Sequence, residues 1–296
     1  PELSMARSAG ARMTAPAASL STSSPGRWRA LPLGVRAALV VLAAIALAAV
    51  LAPWLAATAS EAMDLTARRA APSMAHWFGT DELGRDVLAR VLSGARVSLA
   101  IGFLSALLSV ALGSAVGAVG GFVGGWVDAS LMRLTDAMLA IPRLPFLMIV
   151  AAILQPSIPL LIVLVGVAGW METARVVRAE VLSLAQRGFV EAAQATGVGA
   201  VRILAGHILP NVLGTIAVSA TLSVGRGILL ESALSFFGVG VQPPAASWGN
   251  MLYQAQTTLT SEPWLAVFPG MAIFVTVLSV NVLGEHLARV GGGQRD

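Results

Sequence analysis

Six apolar stretches, each near the roughly 20 residues that cross a bilayer as helix, alternate with polar connections along the chain. They cover residues 37–57, 97–119, 131–154, 158–176, 212–236 and 264–287. The pattern predicts an all-α polytopic membrane protein with about six transmembrane helices. Pro142, Pro145 and the glycines inside these stretches are tolerable where neighbouring helices satisfy the freed backbone groups. Gly113, Gly117, Gly121 and Gly125 recur every fourth residue, which places them on one stripe at the end of the second span. Such a stripe lets another helix backbone approach closely; the alternative is a lining for a substrate path. The longest polar connection lies between spans four and five, at 178–211, and predicts two short helices with a bend. Residues 190–196 carry helix-forming alanines, Gly197 and Gly199 interrupt them, and Val201, Ile203, Leu204 and Ile208 return at helical spacing. Pro210 suits the start of the next helix, where its missing N–H costs little.

Composition strengthens the membrane assignment. Hydrophobic residues make up 56% of the 296 residues and charged ones 11%, against roughly 25% charged in soluble domains. Cysteine is absent, which excludes disulfides, thiolate metal sites and cysteine nucleophiles. Lysine is absent as well, all nineteen basic residues being arginine, so the chain has no phosphate-binding P-loop lysine and no Schiff-base chemistry. If ATP drives this protein, another chain binds it. His76, His207 and His286 are too dispersed for a metal site, no serine, histidine and carboxylate arrangement stands out, and neither a cofactor nor an enzymatic activity of its own is expected.

The net charge of +4 does not point to nucleic acid, because the arginines are scattered and not gathered on one amphipathic face. They read instead as topology signals. Arg27, Arg29 and Arg36, then Arg175, Arg178, Arg187 and Arg202, then Arg289 and Arg295 fall on one side of a six-span chain, which makes both termini cytoplasmic. The outer loop 238–263 carries no arginine; the outer loop 58–96 carries five and stands against this topology. Residues 1–36 are expected to form a partly disordered cytoplasmic tail ahead of a transmembrane domain at 37–296, with Met5 and Met13 as candidate starts. A cleavable signal peptide ending at Ala57-Thr58-Ala59 competes with the first span, whose length exceeds the usual apolar core of about 7–15 residues.

A small and apolar helix projecting from the membrane suits either a groove in a partner protein or the lipid headgroups. Charges inside spans cost about 2.5–3.5 kcal/mol each. Arg133 and Asp136 are one turn apart and able to neutralise one another. Arg143, Glu172, Arg226 and Glu231 have no partner near in sequence; snorkelling, interhelical pairing and cavity lining all remain open, with Arg226 and Glu231 the named candidates for lining. In the loop 58–96, Asp81, Arg85 and Asp86 can pair with one another in a tight turn, either as a cap holding the helices in register or as a substrate contact.

Glu191-Ala192-Ala193 followed by Gly197 and then by Leu209-Pro210 resembles the cytoplasmic loop of permease subunits of ATP-binding-cassette importers. The stretch His207-Ile208-Leu209-Pro210-Asn211, with histidine where the family usually has an aliphatic residue, is similar to the dipeptide/oligopeptide branch. Two further stretches point to the second permease of that branch: Phe78 to Asp86 continued by Ser93 to Leu99, and Leu234 to Pro244 continued by Ser247-Trp248-Gly249-Asn250-Met251-Leu252. The resemblance implies a coupling helix around Glu191, Ala192, Ala193, Gly197, His207, Leu209 and Pro210 that sits in a cleft of an ATPase subunit. It also implies a pore shared with a second, homologous permease, two ATPase subunits, and a solute-binding protein docking on outer segments marked by Asp81, Arg85, Asp86 and Trp248. The expected solute is a dipeptide or oligopeptide; nickel chelates, glutathione or another small solute are the alternatives. An ATP-independent channel or secondary transporter is the rival of another class, and a membrane scaffold a third.

Overall fold

A computed structural model describes residues 31–56 and 62–292. The expected tail at 1–36 (all but its last few residues) and the small-residue pattern at 57–59 lie outside them. Eleven helices follow one another among the described residues: α1 (Leu33–Ala56), α2 (Val87–Val123), α3 (Gly125–Ala140), α4 (Arg143–Leu154), α5 (Ile158–Val167), α6 (Trp170–Ala185), α7 (Gly188–Ala195), α8 (Ala200–Ile203), α9 (Leu209–Phe236), α10 (Trp248–Ala255) and α11 (Trp264–Gly292). Five continuous helical runs are long and apolar enough to cross a membrane; the pair α3 and α4, bent by 82°, makes six if it counts as one span. The protein is therefore all-α and multi-pass.

The third span is broken because Pro142 has no N–H to donate and disfavours helical geometry at Ile141, whose backbone is extended (φ −79°, ψ 125°). The second span begins ten residues before its apolar stretch, at Val87 against 97. The earlier turns stay helical because Asp86 caps them, accepting from the Ala89 N–H at 2.9 Å, and because their buried polar groups find distant partners. Arg90, for instance, donates to Asp81 at 3.2 Å and to Gln254 at 3.2 Å.

α2 is the central helix and touches α1, α3, α5, α6, α9, α10 and α11. Its tightest neighbour is α6. A Cβ on Gly113 would lie 2.5 Å from the Trp170 carbonyl oxygen, one on Gly117 2.4 Å from that of Ala174, and one on Gly121 2.8 Å from that of Arg178. Three successive turns of α2 thus rest directly on three successive turns of α6 backbone. Gly125 does not belong to this stripe as the spacing predicts: the helix stops at Gly124 (φ +67°), Gly125 opens α3 with φ +56°, and nothing lies near it. Nearer the start of α2, a Cβ on Gly102 would meet Ile228 of α9 at 2.4 Å. α11 closes the bundle against α9, α1 and α10.

Arg133 and Asp136 do not neutralise each other. Asp136 accepts from Arg175 of α6, brought close by packing, while Arg133 lies exposed. Arg178, one turn further along α6, makes a two-pronged bond to Asp128 of α3, with Nη2 to Oδ2 at 2.5 Å.

Because the groups facing Gly117 are backbone atoms that cannot rotate away, Gly117→Val is expected to destabilise the chain by about 1–3 kcal/mol. Gly214→Ala, at a helical site with open space, is expected to leave stability unchanged or slightly raised. Thermal unfolding of the two purified variants in detergent checks the difference; equal melting temperatures would contradict the close-contact reading.

Candidate functional site

The polar connection between α6 and α9 folds back onto its own flanking helices. α7 buries Val190 and Ala193, which join Ile203, Ile208 and Val212 against Val177, Val181 and Leu184 of α6 and Ala118 of α2. α7 ends in a Schellman cap: the Val198 N–H donates to the Ala193 carbonyl at 3.1 Å and the Gly197 N–H to that of Gln194 at 2.9 Å. Gly197 sits at φ +80° with open space around it, so glycine is needed there for backbone conformation and not for room. The two short helices and the bend are as the residue pattern predicts.

One local feature is not. Between α8 and α9 the chain does not stop and restart at Pro210; it runs on through a widened π turn at Leu204–Ile208. The Pro210 ring would collide with the carbonyl four residues back, at Gly206, in a regular helix, and the wider turn is where a helix can absorb that conflict. Asn211 steadies the turn, its side-chain amide donating to the His207 carbonyl at 2.6 Å.

The residues named from the sequence therefore divide by position. Glu191 and Ala192 are exposed, as are Gly197, His207 and Pro210; Ala193 is buried and Leu209 half-buried. Two apolar side chains on the same segment were not expected at its surface: Phe189, and Val201, which is 82% exposed although its spacing groups it with the buried Ile203 and Ile208. Their type alone gives no signal, because apolar positions at helical spacing read as core. The result is a short two-helix knob with a locked apolar underside and an open surface of Phe189, Glu191, Ala192 and Val201.

At the other end of the bundle, residues 62–86 form a cap over the start of α2. Asp81 is its hub. Its carboxylate accepts from the Leu83 N–H at 2.9 Å, the Arg85 N–H at 3.0 Å, Arg85 Nε at 2.7 Å and Arg90 Nη1 at 3.2 Å, and Asp81, Arg85 and Arg90 are all buried. Asp86 does not share in that pairing: it caps α2 and bonds His76 Nδ1 at 3.0 Å. Phe78 stacks on Phe268 of α11 with ring centroids 3.8 Å apart, and Arg69 lies 3.6 Å from Glu262. Trp248 sits inside this end and not on its surface. It is 1% exposed, with Nε1 donating to the Val91 carbonyl at 3.0 Å and its N–H donating to Ser98 Oγ at 3.2 Å.

The lone charges inside the spans meet partners far off in sequence. Glu172 of α6 takes Arg143 Nη2 of α4 at 2.9 Å on one oxygen and Arg226 of α9 on the other. Arg226, with Arg143, borders a narrow pocket between α2, α5 and α9. Glu231 is enclosed, 0% exposed: Ser98 Oγ donates to it at 3.0 Å and Ser235 Oγ at 2.8 Å. Those two hydroxyls in turn accept the Trp248 and Val241 N–H groups, so Glu231 organises the loop 238–263 from beneath.

Residues 109–290 match the family model described as "Binding-protein-dependent transport system inner membrane component". The chain is similar to the oligopeptide transport system permease protein OppC of Escherichia coli, 44% identical over 253 residues that cover 85% of this chain and 84% of that protein. It is 45% identical, with the same coverage, to OppC of Salmonella typhimurium. It is 37% identical over 249 residues to the dipeptide transport system permease protein DppC of Alkalihalophilus pseudofirmus, covering 84% of this chain and 82% of the relative. Together with a multi-pass helical bundle that presents a two-helix knob at one end, these matches place the chain in the family of inner membrane components of binding-protein-dependent transport systems, which are transport permeases.

Proposed function

We propose that the protein is one of two homologous permease subunits forming the pore of an ATP-driven importer for dipeptides or oligopeptides. The two-helix knob is the observation that carries the reading. A segment with its apolar underside fixed to α2 and α6, and with Phe189 and Val201 left open beside Glu191 and Ala192, has the form of a rigid plug for a groove in a partner. That partner is an ATPase subunit, one for each permease, and ATP hydrolysis resides there. The peptide cargo is supported by relatives whose names specify oligopeptides and dipeptides.

The knob and both termini face the cytoplasm of a bacterial inner membrane in this reading, in keeping with the arginines around the knob. The cap at 62–86 then lies on the opposite face, where the solute-binding protein docks. Four of the five arginines in the loop 58–96 are engaged and weigh less against that orientation than free charges would, while Arg96 is exposed. Arg85 and Arg90 are bound to Asp81, Arg69 lies by Glu262, and Arg68 Nε donates to the Glu82 carbonyl at 2.7 Å. Transport follows if nucleotide and loaded binding protein each favour a different state of the pore, since only differential binding shifts such an equilibrium.

Ala192→Trp, on the open surface of the knob, is expected to leave the melting temperature of the isolated chain unchanged while lowering recovery of ATPase subunits in co-purification at least about tenfold, equivalent to 1.4 kcal/mol. Undiminished recovery would count against the plug. Gly197→Val acts by another route: a β-branched residue at φ +80° costs about 1–2 kcal/mol, tilts the knob and uncouples hydrolysis from uptake, which paired ATPase and uptake assays on the assembled transporter detect. For the opposite face, Asp81→Ala strands two buried guanidiniums and is expected to cost about 3–5 kcal/mol. Limited proteolysis should then cut within 62–86 in the variant and not in the parent chain.

A further inference from the structure

We propose that Arg143 and Arg226, bridged by Glu172, form a carboxylate-binding site on the translocation path that takes the C-terminal carboxylate of a peptide in transit; this rests on the importer reading above. One carboxylate between two guanidiniums leaves a charge of +1 inside the spans. The site is deep: Arg226 lies about 15 Å along α9 from Phe236 and Glu172 about 20 Å along its helix from Ala185, at 1.5 Å per residue. An unbalanced cation at that depth is costly, and such groups mark substrate pathways.

The donors are available. Each guanidinium carries five N–H donors; the bonds seen are one from Arg143 to Glu172, one ion pair from Arg226 to Glu172, and a long 3.4 Å contact from Arg226 Nε to the Leu222 carbonyl. The three side chains remain 26%, 38% and 41% exposed for Arg143, Glu172 and Arg226. Beside them, Ser109 Oγ is buried without a partner and borders the same pocket as both arginines. Arg143 also stands at the edge of a second cavity of about 430 Å³, walled by Met138, Phe146, Val150, Val163 and Met171. The arrangement is a guanidinium pair beside a flexible apolar chamber, in which methionine adapts to different shapes.

That combination suits a peptide. Its C-terminal carboxylate is present whatever the sequence and matches the planar fork of arginine, while its side chains vary and need an adaptable apolar wall. A carboxylate from the neighbouring permease or an anionic lipid headgroup would satisfy the same charge, and neither would distinguish one peptide terminus from another.

The test uses the complete transporter with its binding protein in proteoliposomes, and trialanine against trialanine amide, each saturating the binding protein as verified by direct titration. Charge-assisted hydrogen bonds predict that the acid is taken up at least about tenfold faster than the amide. Arg143→Gln and Arg226→Gln should each narrow that ratio to within about twofold, and Arg226→Lys should retain part of it, since the charge persists without the fork. Equal rates for the two peptides in the unmodified transporter would overturn the proposal with no variant involved, and would assign the cluster to the neighbouring permease or to lipid. A ratio that survives in both glutamine variants would overturn it too. Absence of uptake for either peptide by the unmodified complex would remove the importer reading and this site with it.

Discussion

The backbone contact between α2 and α6 is the constraint on which the rest of this protein depends. Inside a bilayer, apolar side chains gain nothing by leaving lipid for protein, so helices associate through close packing and polar contacts. Gly113, Gly117 and Gly121 allow α6 to rest on α2 without an intervening layer of side chains. That closeness presents Val177, Val181 and Leu184 together with Ala118 as one continuous apolar floor, and α7, α8 and the start of α9 are built on it. A side chain at any of the three glycines would lift α6 and tilt the floor. The same device holds α9 nearer the start of α2, where Gly102 meets Ile228 and Gly227 faces the Gly102 backbone. The two helices that bracket the knob are thus both fixed to one central helix.

Charge is distributed with different purposes at the two ends of this frame and at its middle. In the cap, Asp81 is saturated by two guanidiniums and two backbone N–H groups, an arrangement that rigidifies. Along α6, Glu172, Arg175 and Arg178 recur at intervals of one turn and reach α4 and α9, α3, and α3 respectively. They tie the bent α3–α4 pair, whose helical bonding Pro142 interrupts, back to the straight part of the bundle. At Glu172, as at Asp81, two cations converge on one anion.

The spans were legible in the sequence because a bilayer imposes a length on apolar stretches that no tertiary contact can conceal. Their limits were less so. Hydropathy ends a span at a charge, whereas the fold continues it wherever that charge is met, as Arg90 is by Asp81 and Gln254. Pairing by proximity failed in the same way: Asp136 has Arg133 one turn away, yet Arg175, thirty-nine positions on, is the partner that packing supplies. In the knob, the motif around Glu191 to Pro210 marked the segment, but not that Ala193 faces inward while Ala192 faces out. Identical side chains one position apart carry no such information until the helix is seated on its floor. The widened turn before Pro210 was hidden for a related reason, since proline at a helix start and proline after a π turn read alike.

The position of the charged cluster gives the knob and the interior a common mechanical link. Glu172 stands on α6, which leads into α7, and Arg226 stands on α9, which leads out of α8 through the π turn. The knob is bonded to both helices by its apolar underside, so a force applied to it acts on α6 and α9 together. Both helices also rest on α2 through its glycines. Any relative shift of α6 and α9 must then be felt at the ion pair between them, which has a carboxylate on one side, a guanidinium on the other and a second guanidinium from α4 in reach. Separation of Glu172 from Arg226 would free an arginine, and closure would return it to its internal partner. A mid-membrane charge of this kind need not be the strongest contact in the protein; it has only to bridge the two helices that leave the same surface knob.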